Sequence, residues 1–496
     1  MHGLLATSLG VTCAAALTLP LAPPAGAAPE PPAPMAEAAA AVAGVARPDP
    51  LQAPGAPPRA ASATPDLPGS TQSLPLAPLA RDRALGGAGD QGLPRRDVRH
   101  FSLLGVVWND PDTPLHGRVQ VRTRAAGTHA WSGWQDLETH NDDHGADPGT
   151  AERTSGHVRA GTAPLWVGDS DGVEVRVHGE DTDPHGRTGT TRTGTTRAAL
   201  TTPGAAAALP KGLRLELIDP GTEDTRAVHL SAEAAGTRQL RPAALDAEAR
   251  AASAANADLA PVGALEIPAL DRAQTRSELL SLRSGQLTAA QKAKPYIGPR
   301  PGIVTRRGWG ADEKLREKSF VYTSKVKAAF VHHTASGNTY KCSQAPSLIR
   351  GIYRYHVRSM GWRDIGYNFL VDKCGTIYEG RAGGVAKAVL GAHTLGFNTN
   401  SMGIAVIGTF GSTKPPAAAV TAVARLTAWK LGLYGGNPKG KTYLKSGGGN
   451  LYRKGKNVRL NVISGHRDGF ATECPGRQLY GKLGTARSSA ARLQGR

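Results

Sequence analysis

Residues able to build a core are spread unevenly along this chain, and that unevenness restricts it to separate folded regions. Ala28 to about Arg95 is dominated by Ala and Pro and contains no aromatic residue. Such a stretch cannot bury enough apolar surface to offset the entropy of ordering it, so it reads as a disordered spacer. Thr222 to about Arg300 is again Ala-rich and polar and reads as a linker, with one short helix around Thr275 to Lys292. A chain of 496 residues is expected to carry two or three domains. The boundaries read from composition are 1–27, 28–95, 96–221, 222–300 and 301–496.

Residues 1–27 have the character of an export signal. Leu4 to Leu21 is apolar, and Ala25-Gly26-Ala27 fits a small-residue cleavage site, which places cleavage after Ala27. The run is atypical in having only His2, and no Lys or Arg, ahead of it. Cys13 does not read as a lipid-attachment site, because Gly10-Val11-Thr12 precedes it. No later stretch of about 20 uninterrupted apolar residues suggests a membrane span. The expected location is extracellular.

Residues 96–221 alternate short strand-like segments with turn residues. Val119, Val121 and Thr123 alternate with Arg118, Gln120 and Arg122; Val173, Val175 and Val177 alternate with Glu174 and Arg176. A period of two marks half-buried strands. Phe101–Trp108, Leu165–Val167 and Leu213–Ile218 add further strands. Together they predict an antiparallel β-sandwich, interrupted by a Thr/Gly/Arg/Ala loop from Thr188 to Ala208. Trp131, Trp134 and Trp166 suit either a sugar-binding platform or a packed core, and core is the preferred reading.

From Arg306 onward the pattern is mixed α/β. Val326–His332 reads as a strand and Pro346–Met360 as an amphipathic helix. Tyr367–Val371 and Thr376–Glu379 form a hairpin, and Met402–Phe410 an apolar strand. Ala417–Leu433 is a second helix, and Val458–Ile463 is a strand leading to His466.

The chemistry concentrates in three stretches of this region: Val331-His332-His333-Thr334, Gly465-His466-Arg467-Asp468 and Thr472-Glu473-Cys474-Pro475-Gly476. Two imidazoles and a thiolate are a complete protein ligand set for a catalytic zinc ion, which keeps one position open. Zinc in such a site activates water for attack on an amide. If Cys474 binds metal, Cys342 and Cys374 remain as a disulfide pair in an exported protein; three free buried thiols are the alternative.

Charge is equally localised. Residues 301–496 carry 31 Lys and Arg against 8 Asp and Glu, a net +23 within a chain whose total is +19. A basic surface concentrates acidic partners. No nucleic-acid-binding signature accompanies it, so an anionic cell-wall polymer is the expected partner, with simple solubilisation as the alternative.

Several motifs then carry a family resemblance. Trp362-Arg363-Asp364-Ile365-Gly366-Tyr367-Asn368-Phe369-Leu370-Val371-Asp372, Ile377-Tyr378-Glu379-Gly380-Arg381 and Gly391-Ala392-His393-Thr394 with Phe397-Asn398 resemble peptidoglycan recognition proteins and phage-type amidases. So do Met402–Gly408 and Arg307-Gly308-Trp309-Gly310-Ala311. The likeness covers roughly the last 195 residues. It implies a central sheet flanked by helices, and zinc-dependent cleavage of the amide between N-acetylmuramic acid and L-alanine in peptidoglycan.

It also implies His332, His466 and Cys474 as ligands, with His332 preferred over His333, and Tyr367 and Thr472 as catalytic residues. His393, Asn398 and Arg381 match positions that contact the glycopeptide. Phage-type enzymes carry a lysine where this chain has Thr472, whereas amidase-active recognition proteins carry a threonine. Members that only bind commonly replace the cysteine ligand, which this chain retains. Ala382-Gly383-Gly384 departs from the Gly-Trp that often follows the arginine. Stem-peptide preference therefore cannot be carried over. His356 and His333 read as structural histidines, and Asp468 and Glu473 as surface residues or orienters of the ligands beside them.

Overall fold

Phe101-Ser102-Leu103-Leu104-Gly105-Val106-Val107-Trp108 has no polar face, and a strand of that kind must be covered on both sides. The structure, a computed structural model describing residues 69–79, 90–139, 143–180, 208–221 and 245–496, bears this out. The leader, most of the Ala/Pro spacer, the 188–207 loop and residues 222–244 lie outside the described residues.

The N-terminal domain is all-β and antiparallel. Its strands run in the order Ser70–Pro75, Arg214–Asp219, Gln91–Trp108, Leu165–Gly179, Gly117–Ala125, Gln135–Leu137. The long Gln91–Trp108 strand shifts register against Leu165–Gly179 at three places, and such bulges bend a strand and increase its twist. Leu104, Val106 and Trp108 point into the domain's own core with Leu215 and Leu217. Leu103, Val107 and Ile218 point the other way and pack with Ile349, Ile352 and Tyr355 of the C-terminal domain. The period of two thus feeds two separate cores.

Two sequence expectations are corrected. The spacer read as 28–95 ends early, because Ser70–Pro75 pairs in full register with Arg214–Asp219. An edge strand needs no core of its own, so its aromatic-poor composition was uninformative. Likewise, the linker read as 222–300 contains helices Ala247–Ala254 and Arg272–Arg283 and the strand Glu266–Ile267, which extends the C-terminal sheet. Ile267, Leu279 and Ile297 are buried in the larger core. These apolar residues are too sparse to show a periodicity, yet they dock against a surface that other segments build.

The C-terminal domain holds a seven-stranded mixed sheet, in the order Ile463–Gly465, Ala328–His333, Ser401–Val406, Phe369–Val371, Ile377–Glu379, Ile303–Val304, Glu266–Ile267. The first four strands run parallel. Ala329, Val331, Met402, Ile404 and Val406 face the core that contains the Ala417–Gly432 helix. The expected 346–360 helix is found as Ala345–Arg354, continued by a wider turn at Tyr355–Ser359. The expected strand 458–463 is instead two strands. Asn457–Asn461 pairs with Lys441–Lys445 in a separate sheet, and Ile463–Gly465 joins the main one. Val462 divides them, its N–H donating to Gly440 and its carbonyl accepting from Ala329.

Cys342 and Cys374 are disulfide-bonded, with Cα atoms 6.2 Å apart. Among the described residues no helix is long and apolar enough to cross a membrane.

The two domains meet through Tyr355. Its hydroxyl donates to the carbonyl of Thr162 at 3.0 Å, and its ring lies over Gly105, where a Cβ would come within 2.6 Å. Gly105→Val should therefore destabilise the protein by about 1–3 kcal/mol through overpacking; an unchanged denaturation midpoint would contradict the docking described. Replacing both disulfide cysteines with Ala should cost about 2–4 kcal/mol, measured by the same unfolding curves.

Candidate metal centre and groove

The parallel register brings the candidate ligands together. Val331 pairs with Gly465, so the residues that follow, His332 and His466, leave the ends of adjacent strands side by side. Their Nδ1 atoms are 3.1 Å apart. Carboxyl ends of parallel strands are where open α/β sheets place ligands. Asp468 fixes the turn after the strand, accepting from the Gly465 N–H at 2.9 Å and from the Tyr480 hydroxyl at 2.6 Å. The chain then loops back, the Arg467 N–H donating to the Cys474 carbonyl. This sets Cys474 Sγ 3.7 Å from His332 Nδ1.

Strand alternation separates His332 from His333. His332 is fully buried in the cluster, and its Nε2 lies 3.4 Å from Thr394 Oγ1. His333 accepts from the Phe410 N–H on the other face. His356 is buried against Trp362, with ring centroids 4.4 Å apart, and accepts from the Gly366 N–H. Both are structural, as read from sequence. Glu473 is exposed and paired with Arg467.

A fourth ligand-type residue, His144 of the β domain, was not anticipated. One ring nitrogen from each of His144, His332 and His466, together with Cys474 Sγ, lie within 4.8 Å of one another, and all four residues are buried. No sequence motif marks His144, which comes from a loop of another domain. Asp143 sits between two of the rings, 2.6 Å from His144 Nδ1 and 3.6 Å from His466 Nδ1. The Nε2 atoms of both rings are buried with no hydrogen-bond partner among the described residues.

Electrostatics match a cation site. Burial pushes His332 well below the ordinary imidazole range and His466 down to about 3, so both are neutral, the form that binds metal. Burial, reinforced by Asp143, pushes the Cys474 thiol well up. A cation among these donors inverts that preference and deprotonates the thiol. Burial opposes charge on Asp143, but His144, His466 and a hydrogen bond from Thr472 outweigh it and hold the carboxyl below its usual range. Neutral imidazoles, a thiol and buried unpartnered nitrogens fit zinc.

The remaining candidates surround this cluster. Tyr367 precedes the Phe369–Val371 strand, its ring centroid 5.6 Å from that of His332. Burial, then the charges of Cys474 and Asp143, keep its phenol protonated well above the ordinary range. Thr472 is half-buried, its Oγ1 accepting from the Cys474 N–H. His393 is buried between Thr394 and Ser401. It packs against Gly403, where a Cβ would come within 2.4 Å of the ring.

Asn398 Oδ1 accepts from the N–H groups of His393 and Thr394, while its Nδ2 donates to Gly145 O and to Asp147 Oδ1. Arg381 donates from both terminal nitrogens to Glu152, each bond 2.8 Å. The preferred reading of the three Trp residues as core holds for one and is corrected for two. Trp166 is buried at the domain interface, whereas Trp131 and Trp134 are half-buried under the guanidinium groups of Arg95, Arg122 and Arg176.

Residues 322–477 match the family described as N-acetylmuramoyl-L-alanine amidase, and residues 58–203 the one described as Rv3811 N-terminal galactose-binding domain-like. The chain is 31% identical over 184 residues to peptidoglycan-recognition protein 1 of Holotrichia diomphalia, covering 37% of this chain and 79% of that one. It is 29% identical over 183 residues to peptidoglycan-recognition protein SC2 of Drosophila simulans, covering 37% and 85%. Among solved structures, Drosophila PGRP-LB aligns at 27% identity over 37% of this chain and 92% of that one, with a TM-score of 0.29.

Cobalt(II) titrated into the metal-free protein should bind at one equivalent and give a thiolate-to-metal charge-transfer band in the near ultraviolet. Cys474→Ser should abolish that band. Its persistence in the variant would exclude Cys474 as a ligand.

Proposed function

This chain belongs, through its C-terminal domain, to the family of peptidoglycan recognition proteins and N-acetylmuramoyl-L-alanine amidases, and from that premise we propose that it is a secreted zinc amidase. Its substrate is the amide between N-acetylmuramic acid and L-alanine in peptidoglycan. The family holds both enzymes and proteins that only bind. The observation that favours catalysis is the convergence of His332, His466 and Cys474 on one buried point beside Tyr367.

Zinc held by these three side chains supplies Lewis acidity toward water and toward the amide carbonyl. Tyr367, kept as a neutral phenol, donates a hydrogen bond to the oxygen on which negative charge develops. Thr472 contributes a hydroxyl that can orient a water or the carbonyl, and no charge. Thr394 Oγ1 lies 3.4 Å from Nε2 of His332, which would leave Nδ1 of that ring to hold the metal. Arg381, Asn398 and His393, which match positions that contact the glycopeptide in the family, are assigned as substrate-binding residues of a groove beside the metal site. The net +23 of residues 301–496 attracts anionic wall polymers, an attraction that weakens with salt.

The test is prolonged digestion of purified muropeptides by stoichiometric zinc-loaded protein, with products identified by mass. We expect free stem peptide and intact sugar, abolished by chelator and by Cys474→Ser. Tyr367→Phe should lower kcat by about 10²–10³-fold. Muropeptide bound but never cleaved by zinc-replete protein would assign recognition instead.

A further inference from the structure

The groove that the resemblance implies around these residues is not open in this chain. Five residues of the β domain, between Asp143 and Glu152, enter it and engage groups that the amidase reading needs. Asp143 orients His144, whose ring joins the metal donors, with centroids 4.6 Å from His466 and 5.2 Å from His332. The Gly145 carbonyl and Asp147 take the amide of Asn398. Asp147 Oδ1 also accepts from the Gly396 N–H at 2.8 Å. Glu152 takes both terminal nitrogens of Arg381 and accepts from the Arg363 N–H.

The backbone is tied in as well, the Leu395 N–H donating to the Asp143 carbonyl. Asp143, His144, Asp147 and Glu152 are all more than nine-tenths buried. The cavity left beside Tyr367, Thr472 and Cys474 measures about 10 Å³, room for roughly one water and none for a sugar or peptide.

We propose that His144 is a fourth metal ligand supplied by the β domain, and that the Asp143–Glu152 segment closes the groove, making the chain a latent form. The inference rests on reading the groove as an amidase site. The donor count carries it: three protein ligands leave a catalytic zinc open, and a fourth closes it in the manner of structural zinc. The two carboxylates have the same sense. They satisfy cationic and amide donors that a glycopeptide would otherwise use, within a domain of strongly positive charge. Activation then requires the segment to withdraw, and apparent substrate affinity is reduced by the fraction of chains in which it has withdrawn.

The test uses the full chain and three readouts: the visible spectrum of the cobalt(II) form with and without azide, calorimetric muropeptide binding to the zinc form, and release of stem peptide. The variants are His144→Ala and the isosteric pair Asp147→Asn with Glu152→Gln, each checked by circular dichroism and thermal melting. The pair keeps the test valid if His144→Ala fails to fold.

Azide should leave the wild-type cobalt spectrum unchanged and perturb that of His144→Ala. The isosteric pair should bind muropeptide about tenfold more tightly than wild type and release stem peptide faster. Equal azide sensitivity in wild type and His144→Ala, or equal muropeptide affinity in wild type and the isosteric pair, would overturn the inference. If wild type also cleaves as fast as the variants, the amidase reading survives that loss. Variants that gain azide access and muropeptide affinity without any cleavage would uphold the closed groove and remove the amidase reading instead.

Discussion

Everything near the groove depends on how a cluster of buried donors is satisfied. Three imidazoles, a thiol and the Asp143 carboxylate sit within a few ångströms of one another, out of contact with solvent. An interior with so many lone pairs and so few protons to share is unfavourable on its own. A divalent cation would resolve that, because it would make each lone pair an asset and stabilise the thiolate. The main sheet is what makes the cluster possible. Register between the Ala328–His333 and Ile463–Gly465 strands leaves His332 and His466 adjacent with no freedom to separate.

The same cluster joins two domains that composition alone would separate. The β domain buries one face of its central strand in its own core and the other on the Tyr355 helix face, with Leu103 and Val107 opposite Ile349 and Ile352. Buried charge reinforces that apolar contact. The Arg381–Glu152 pair crosses the interface with two bonds of 2.8 Å, and a buried pair of this kind penalises loss of either partner far more than it rewards its presence. On the proposed reading, binding the segment and binding a glycopeptide would be alternatives, since the segment already takes the donors of Arg381 and Asn398.

Much of the C-terminal domain was legible because its signals are local. The 3.6-residue period of the helix at 345–354, the hairpin turn at Asp372–Gly375 and the apolar strand before Gly408 each depend on a few neighbouring residues. The strands of the β domain were legible for the same reason. What escaped were contributions that make sense only against a partner: the Ser70–Pro75 edge strand, the sparse apolar residues Ile267 and Leu279, and the division of 457–465 between two sheets at Val462. Thr394 was quoted only as part of a motif, yet its Oγ1 lies 3.4 Å from Nε2 of His332.

By itself the sequence determined which residues are candidate donors and the family of the C-terminal domain, because residue type and short-range spacing carry those; between a Cys342–Cys374 disulfide and free thiols the structure decided. Strand alternation sent His332 and His333 to opposite faces, while the preference for His332 came from the family resemblance. Only the tertiary structure brought His144 within 4.8 Å of the other candidate donors, and Asp147 and Glu152 onto Asn398 and Arg381. Those contacts join residues nearly two hundred or more positions apart through a domain interface, and no local period, cap or spacing encodes a pairing at that distance.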